Sequence, residues 1–215
     1  MQNRVLWLEW AALFVAFPVL AFMEWLPVSK FLVFGVPVLY ALLVYRLSRQ
    51  GLKPDAASPR RSVSLQELPI VRIIALSVLL VLLARLMLGN GWFGLPRYRP
   101  ELWLLIMCLY PLVSALPQEF LYRRFYMWRY ARLFPAGESS GNAMLLSNAV
   151  LFSLLHLMYD NALALIVTFI GGALFAWSYQ RSGRLRWVWL EHAVYGQVIF
   201  TSGLGRYFYE PTPSL

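Results

Sequence analysis

The amino-acid sequence predicts an all-α protein, a polytopic bundle of about seven transmembrane helices within a range of six to eight. Hydrophobic residues make up 60% of the 215 positions and charged residues 13%. The mean hydropathy of +0.59 is far above that of a water-soluble domain of this length. The apolar residues also form runs of about 20, the number that one helix needs to cross a bilayer. These observations exclude a single water-soluble core.

Short polar or turn-forming segments separate the predicted spans. The spans are Val5 to Met23, Phe31 to Leu47, Ile70 to Leu88, Leu102 to Tyr122, Ala143 to Met158, Ala162 to Tyr179 and Trp187 to Leu204. Of the connections, 48–69 is polar and contains three prolines, and 89–100 has the Gly, Pro and aromatic residues of an interfacial turn. Residues 1–215 are therefore predicted to form a single integral membrane domain.

The distribution of Lys and Arg predicts the orientation of the spans, because cytoplasmic loops carry the excess of positive charge. The connections after spans two, four and six contain Arg46, Arg49, Lys53, Arg60, Arg61, Arg123, Arg124, Arg129, Arg132, Arg181, Arg184 and Arg186. The opposite side contains Lys30, Arg97, Arg99 and Arg206. We predict a bacterial inner-membrane protein with a cytoplasmic N-terminus. Although the formal net charge is +9, we expect no nucleic-acid partner, because the basic residues lie between apolar runs.

Ionisable residues inside apolar spans indicate a functional site, because a charge within the bilayer is costly and is kept facing the bundle interior. Arg72, Arg85 and Glu9 lie near span ends, where they are interpreted as positioning residues. The residues that remain are Glu119 near the end of span four, His156 in span five, and His192 with its neighbour Glu191 early in span seven. A carboxylate and two imidazoles supply what the activation of a water molecule needs.

The segment around Glu119 predicts a hydrated cavity. Arg123 follows Glu119 by four residues and shares its helix face, so that it can hold the carboxylate in its charged form. Pro117 is expected to break or kink the preceding helix. Glu119 and the two His could also bind zinc at an open site. Metal-free acid–base chemistry is favoured, because no HExxH spacing places two ligands on one helix.

Three short motifs on successive spans resemble those of the CAAX-protease and bacteriocin-processing family of intramembrane proteases, also called the abortive-infection family. The family pattern is EExxxR, then FxxxH, then HxxxN or a variant. The corresponding segments here are Gln118 to Arg123, Phe152 to His156, and His192 to Gly196. All three lie within residues 117–197.

The resemblance implies a role for each matching residue. Glu119 and His156 would prepare the water, His192 would help to hold the oxyanion, and Arg123 would order the carboxylate. Two positions depart from the pattern: Gln118 replaces the first glutamate and Gly196 replaces the final asparagine. Asn161 and Gln197 are the candidates to fill the role of that asparagine.

Two functions follow from this pattern. The first is an intramembrane endopeptidase that hydrolyses a peptide or protein substrate, including membrane-associated ones, near the membrane surface. The alternative is a catalytically inactive family member that acts as a membrane scaffold or binds a ligand, and Gln118 is the residue that favours it. The predicted spans also place Glu119 near the cytoplasmic side and His156 near the opposite side. For the two to meet, span five has to start later or run deeper, or the helix has to break at Pro117 so that Glu119 lies inside the bundle.

Overall fold

A computed structural model describes residues 2–23, 30–49, 69–134 and 138–208. In these ranges the chain is helical and has no strand, which confirms the predicted all-α fold. Eight helices follow one another here: α1 (2–22), α2 (Lys30–Arg49), α3 (Ile70–Leu88), α4 (Gly94–Tyr98), α5 (Pro100–Arg129), α6 (Glu138–Leu155), α7 (Ala162–Ser182) and α8 (Leu185–Ser202). The predicted loop 48–69 lies almost entirely outside the described residues. Lys53, within this loop, also lies outside them.

Within the described ranges, five segments are long and apolar enough to cross a membrane. They are Asn3–Phe22, Ile70–Gly91, Pro100–Arg129, Gly141–Tyr159 and Ala162–Ser182. Two further predicted spans correspond to α2, whose apolar part Gly35–Ser48 is shorter, and to α8, which is more polar because it carries Arg186, Glu191 and His192. Large apolar side chains such as Leu8, Val71 and Leu86 face outwards. Such a surface suits contact with lipid.

Helix α5 is longer than the sequence predicted. The predicted fourth span ended at Tyr122, but the helix continues to Arg129. Pro117 does not break it. Instead, two widened π-helical segments, Tyr110–Ala115 and Phe120–Phe125, lie on either side of Pro117 and Glu119, since the helix can accommodate a missing proline N–H by a local change of its hydrogen bonding.

The greater length of α5 changes the depth of Glu119. About 15 Å of helical rise separates this residue from the end of the helix at Arg129, because each residue adds about 1.5 Å. Glu119 therefore lies inside the bundle rather than near its edge. This removes the conflict in depth with His156, which begins a 3₁₀ turn, His156–Tyr159, directly after α6.

Helices α5 to α8 enclose the polar interior. Helix α7 packs along α6, and α8 packs against α3, α7 and the π-helical part of α5. The approach of α7 to α6 is close at Gly172, where an added Cβ would lie 3.1 Å from the ring of Phe152. The buried polar and charged residues of the described chain are Gln118, Glu119, Arg123, Asn148, His156, Thr168, Ser178, Glu191, His192 and Ser202.

The residues interpreted as positioning residues have different surroundings. Arg85 donates to the carbonyl of Gly89 at an exposed site, 2.8 Å away, as expected for the end of a span. Glu9 accepts hydrogen bonds from Arg129 and Tyr130 and so joins α1 to the end of α5. Arg72 was expected to reach the interface, but instead it pairs with the fully buried Glu191 across α3 and α8. An inward ion pair at this depth avoids an uncompensated buried carboxylate.

Candidate active site

Glu119 forms the centre of a buried ionic cluster. Its carboxylate is fully buried and lies 3.1 Å from Nε of Arg123, one turn further along α5. The other carboxylate oxygen lies 2.8 Å from Nδ1 of His192 on α8. The predicted pairing of Glu119 with Arg123 is therefore present, and the same carboxylate also contacts the second histidine.

The hydrogen bond with Glu119 fixes the tautomer of His192. A carboxylate only accepts hydrogen bonds, so in the neutral imidazole Nδ1 carries the proton and Nε2 has the lone pair. The imidazole stacks on the ring of Phe175, with ring centres 4.8 Å apart and planes inclined by 20°. The ring of Phe152 contacts the same imidazole in a T-shaped arrangement, with ring centres 5.7 Å apart. The ring of His192 is thus held in both orientation and tautomer.

His156 has an equivalent arrangement. Its Nδ1 lies 2.8 Å from the carbonyl oxygen of Phe152, four residues earlier. Because a carbonyl also only accepts, Nδ1 is again the protonated nitrogen and Nε2 the basic one. The two aromatic residues of the FxxxH segment are in contact, with ring centres 5.0 Å apart.

A cavity of about 320 Å³ connects the two imidazoles. Its polar lining comes from Tyr110, Ser114, Gln118, His156, Tyr159, Thr168, His192 and Tyr195. Leucines of α3 and apolar residues of α7 form most of the remaining wall. Two imidazoles therefore line one mainly apolar space, where polar interactions are stronger than in water.

Gln118 lies on the cavity wall, whereas Glu119 does not. Gln118 donates from Nε2 to Oγ of Ser114 at 3.0 Å, and its Oε1 has no hydrogen-bond partner among the described residues. Glu119 lies behind His192 and is absent from the described residues that line the cavity. The position that carries the first glutamate of the family motif is thus the one that faces the cavity, and here it bears an amide.

Asn148 is a site residue that sequence reasoning missed. It is fully buried on α6, accepts a hydrogen bond from Nη1 of Arg123, and donates from Nδ2 to the carbonyl of Tyr122 at 2.6 Å. The guanidinium also lies 4.9 Å from the ring centre of Phe152. One feature of the sequence could have identified Asn148. It is the one amide within this apolar span, and it lies two helical turns before His156 on the same face of the helix.

The structure brings Gly196 to the cavity but not Asn161 or Gln197. Asn161 caps the start of α7, where its Oδ1 accepts from the N–H of Ala164 at 2.8 Å. Its amide nitrogen donates to two backbone carbonyls. Gln197 donates to the carbonyl of Met107 at 2.8 Å. Neither amide belongs to the described cavity lining, so neither occupies the place of the family asparagine.

The described residues contain no group of three or more His, Cys, Asp or Glu side chains arranged to hold a metal ion. The cavity offers two imidazole nitrogens, and the carboxylate nearest to them is occupied by His192 and Arg123. The zinc site considered from the sequence therefore has no assembled set of ligands in this part of the chain.

The fold and the site define a helical membrane protein with a buried carboxylate–histidine pair beside a second histidine. Residues 100–197, slightly less than half of the chain, match the family model described as type II CAAX prenyl endopeptidase Rce1-like. This match contains all three motifs and confirms the predicted resemblance to the CAAX-protease family. No curated protein and no solved structure matches the chain.

Proposed function

We propose that this protein is a membrane-embedded endopeptidase in which His192 activates a water molecule for attack on a peptide carbonyl. The observation that carries the proposal is the pair of imidazoles on one cavity, each with Nδ1 occupied and Nε2 available. The family match to CAAX prenyl endopeptidases supports peptide hydrolysis as the reaction.

The geometry favours His192, rather than Glu119, as the group that receives the proton of the water. Glu119 lies behind the imidazole and bonds to its Nδ1, which is the position of the acidic residue in an acid–His pair. There the carboxylate orients the ring and stabilises the imidazolium that forms. Arg123 in turn lies 3.1 Å from the carboxylate and holds it in place. This assignment differs from the roles that the resemblance implies, in which Glu119 prepares the water directly.

In the proposed reaction, Nε2 of His192 takes a proton as the water oxygen bonds to the peptide carbon. The carbonyl electrons move to oxygen and give a tetrahedral intermediate. When this collapses, the C–N bond breaks and the leaving amine takes the proton back from His192. His156 would accept a hydrogen bond from the attacking water through its own Nε2. General base catalysis of this kind contributes about 10²- to 10⁴-fold to a rate.

Gln118 favours a second function, in which the cavity binds a ligand without chemistry. An amide replaces a carboxylate at the motif position that faces the cavity, and an amide cannot act as a base. The cavity would then accommodate an apolar segment or a lipid chain. The two functions differ in whether the unmodified protein cleaves any peptide at all.

Cleavage assays on the purified protein in liposomes would separate these functions. One substrate would be a prenylated peptide with a CAAX-type C-terminus, and the other an unprenylated mixed peptide library, with new termini identified by mass spectrometry. We expect cleavage by the unmodified protein and its loss in His192→Gln and His156→Gln. The Gln118→Glu variant is expected to cleave faster, since it adds a carboxylate to the cavity. Activity in neither the unmodified protein nor Gln118→Glu would support ligand binding instead.

The proposed location is a bacterial inner membrane with the N-terminus in the cytoplasm. The asymmetry of Lys and Arg between alternate connections supports this orientation. Labelling with a membrane-impermeant thiol reagent tests it, in a background where Cys108 is replaced by Ser and a single Cys is added at one connection. Labelling from the outside at Gly183→Cys, in the connection between α7 and α8, would contradict the orientation.

A further inference from the structure

The position of Gly196 is filled by a side chain from another helix. A Cβ added to Gly196 would overlap Cε1, Cζ and the hydroxyl oxygen of Tyr110. Tyr110 begins the first π-helical segment of α5, and Gly196 lies one turn after His192 on α8. The phenol therefore enters the space that a side chain at residue 196 would otherwise occupy.

Two hydrogen bonds hold the helices at this close approach. Nε1 of Trp189 donates to the carbonyl of Pro111 at 2.6 Å, and Nε2 of Gln197 donates to the carbonyl of Met107 at 2.8 Å. They lie on either side of Tyr110 in the sequence of α5. Because side chains of α8 fix the backbone of α5 before and after Tyr110, the phenol is placed by the fold rather than by its own rotamer alone.

The hydroxyl of Tyr110 is available to a group in the cavity. Tyr110 lines the cavity together with both histidines, and its ring centre is 6.0 Å from that of His192. Phe200 packs against the same ring in a T-shaped arrangement, with ring centres 5.5 Å apart. Among the described residues, no hydrogen bond engages this hydroxyl, in contrast to the buried phenol of Tyr126, which bonds to Trp10 and Ser147.

We propose that the hydroxyl of Tyr110 donates a hydrogen bond to the oxyanion of the tetrahedral intermediate and thereby replaces the side chain that Gly196 lacks. This inference rests on the proposed peptidase function. The hydroxyl keeps its proton throughout, since the proton of the water travels through His192 to the leaving amine. A donor fixed at the position where negative charge develops lowers the barrier without reorganising during the reaction.

The direct test is Tyr110→Phe, which keeps the ring that packs against Gly196 and removes only the hydroxyl. We expect kcat to fall about 10²- to 10³-fold, as for the loss of one oxyanion donor, with KM changed less than about threefold. Tyr126→Phe is the matched control, because it removes a buried phenolic hydroxyl away from the cavity. Cleavage by Tyr110→Phe at the unmodified rate would overturn the assignment while leaving the peptidase function intact.

An exchange of side chains tests whether Tyr110 and residue 196 share one position. Gly196→Asn alone should lose activity, because its Cβ overlaps Tyr110. Combined with Tyr110→Ala, which makes room, it should cleave at least about tenfold faster than Tyr110→Ala alone. A double variant that accumulates normally and is no faster than Tyr110→Ala would contradict the shared position.

A binding experiment tests the donor without turnover. A phosphinic peptide presents an anionic tetrahedral group like that of the intermediate, whereas the corresponding cleavage product does not. We expect Tyr110→Phe to weaken binding of the phosphinic peptide about tenfold or more and to leave product binding unchanged. Equal binding of the phosphinic peptide by both proteins would refute the role of Tyr110, whatever the cleavage assay gives. If the unmodified protein cleaves no peptide, the proposed peptidase function is itself refuted.

Discussion

Replacement of Glu119 by Gln separates the catalytic role of this carboxylate from its structural role. The substitution keeps the shape of the side chain and removes the charge that pairs with Arg123 and orients His192. If the carboxylate acts through His192, the amide can hold the wrong tautomer by donating to Nδ1 and leaving Nε2 protonated. A wrong tautomer in an acid–His pair costs up to about 10⁴-fold in kcat. We expect a loss of about 10²- to 10⁴-fold here.

The same substitution also affects stability, because both members of the ion pair are fully buried. Removing one partner of a buried pair costs about 3–5 kcal/mol, since the other charge is left uncompensated. Arg123 retains Asn148 and the face of Phe152 after the change, which places the expected cost at the lower end, about 3 kcal/mol. Unfolding of the purified protein in detergent micelles measures this change in free energy.

The double variant Glu119→Gln with Arg123→Met distinguishes the two effects. Replacing both charges removes the uncompensated guanidinium and is expected to restore stability to within about 2 kcal/mol of the unmodified protein. Cleavage should stay low, because His192 still lacks its carboxylate. The reasoning would be refuted if the double variant regained both stability and cleavage, since Glu119 would then only balance the charge of Arg123.

Three further predictions concern the surroundings of the site. Asn148→Leu removes the amide that holds Arg123. We expect kcat to fall about tenfold with little change in KM. An unchanged kcat would show that Arg123 does not need the hydrogen bond to Asn148. Glu191→Gln breaks the ion pair with Arg72 and should lower thermal stability. The cleavage rate should not change, because Glu191 is outside the described cavity lining. A large loss of cleavage in a stable protein would contradict this prediction. Treatment with 1,10-phenanthroline should leave the cleavage rate unchanged, and inhibition reversed by added zinc would contradict metal-free chemistry.

The fold class and the contacts within single helices could be predicted from the sequence because both depend on local patterns. Runs of apolar residues indicated the helices, and the motif spacings brought Glu119 together with Arg123 and His156 together with Phe152. The extent of α5 could not be predicted in this way. Its end contains Arg123, which hydropathy assigns to a loop, whereas burial against Asn148 and two aromatic rings keeps this charge inside the bundle.

The contacts between different helices could not be predicted from the sequence either. Nothing local indicates that Tyr110 fills the space beside Gly196, or that Arg72 turns inwards to Glu191, because both contacts join residues far apart in the chain. The π-helical segments of α5 rotate the residues that follow them relative to a regular helix. They therefore affect which of Gln118 and Glu119 faces the cavity, a difference that spacing alone did not reveal.

The most direct test of peptide hydrolysis at this site is the cleavage rate of one prenylated peptide by the unmodified protein and by His192→Gln in matched liposomes. We expect a measurable rate for the unmodified protein and a rate at least about 10²-fold lower for the variant, compared at equal amounts of folded protein. Equal rates would contradict the assignment of His192 as the group that activates water.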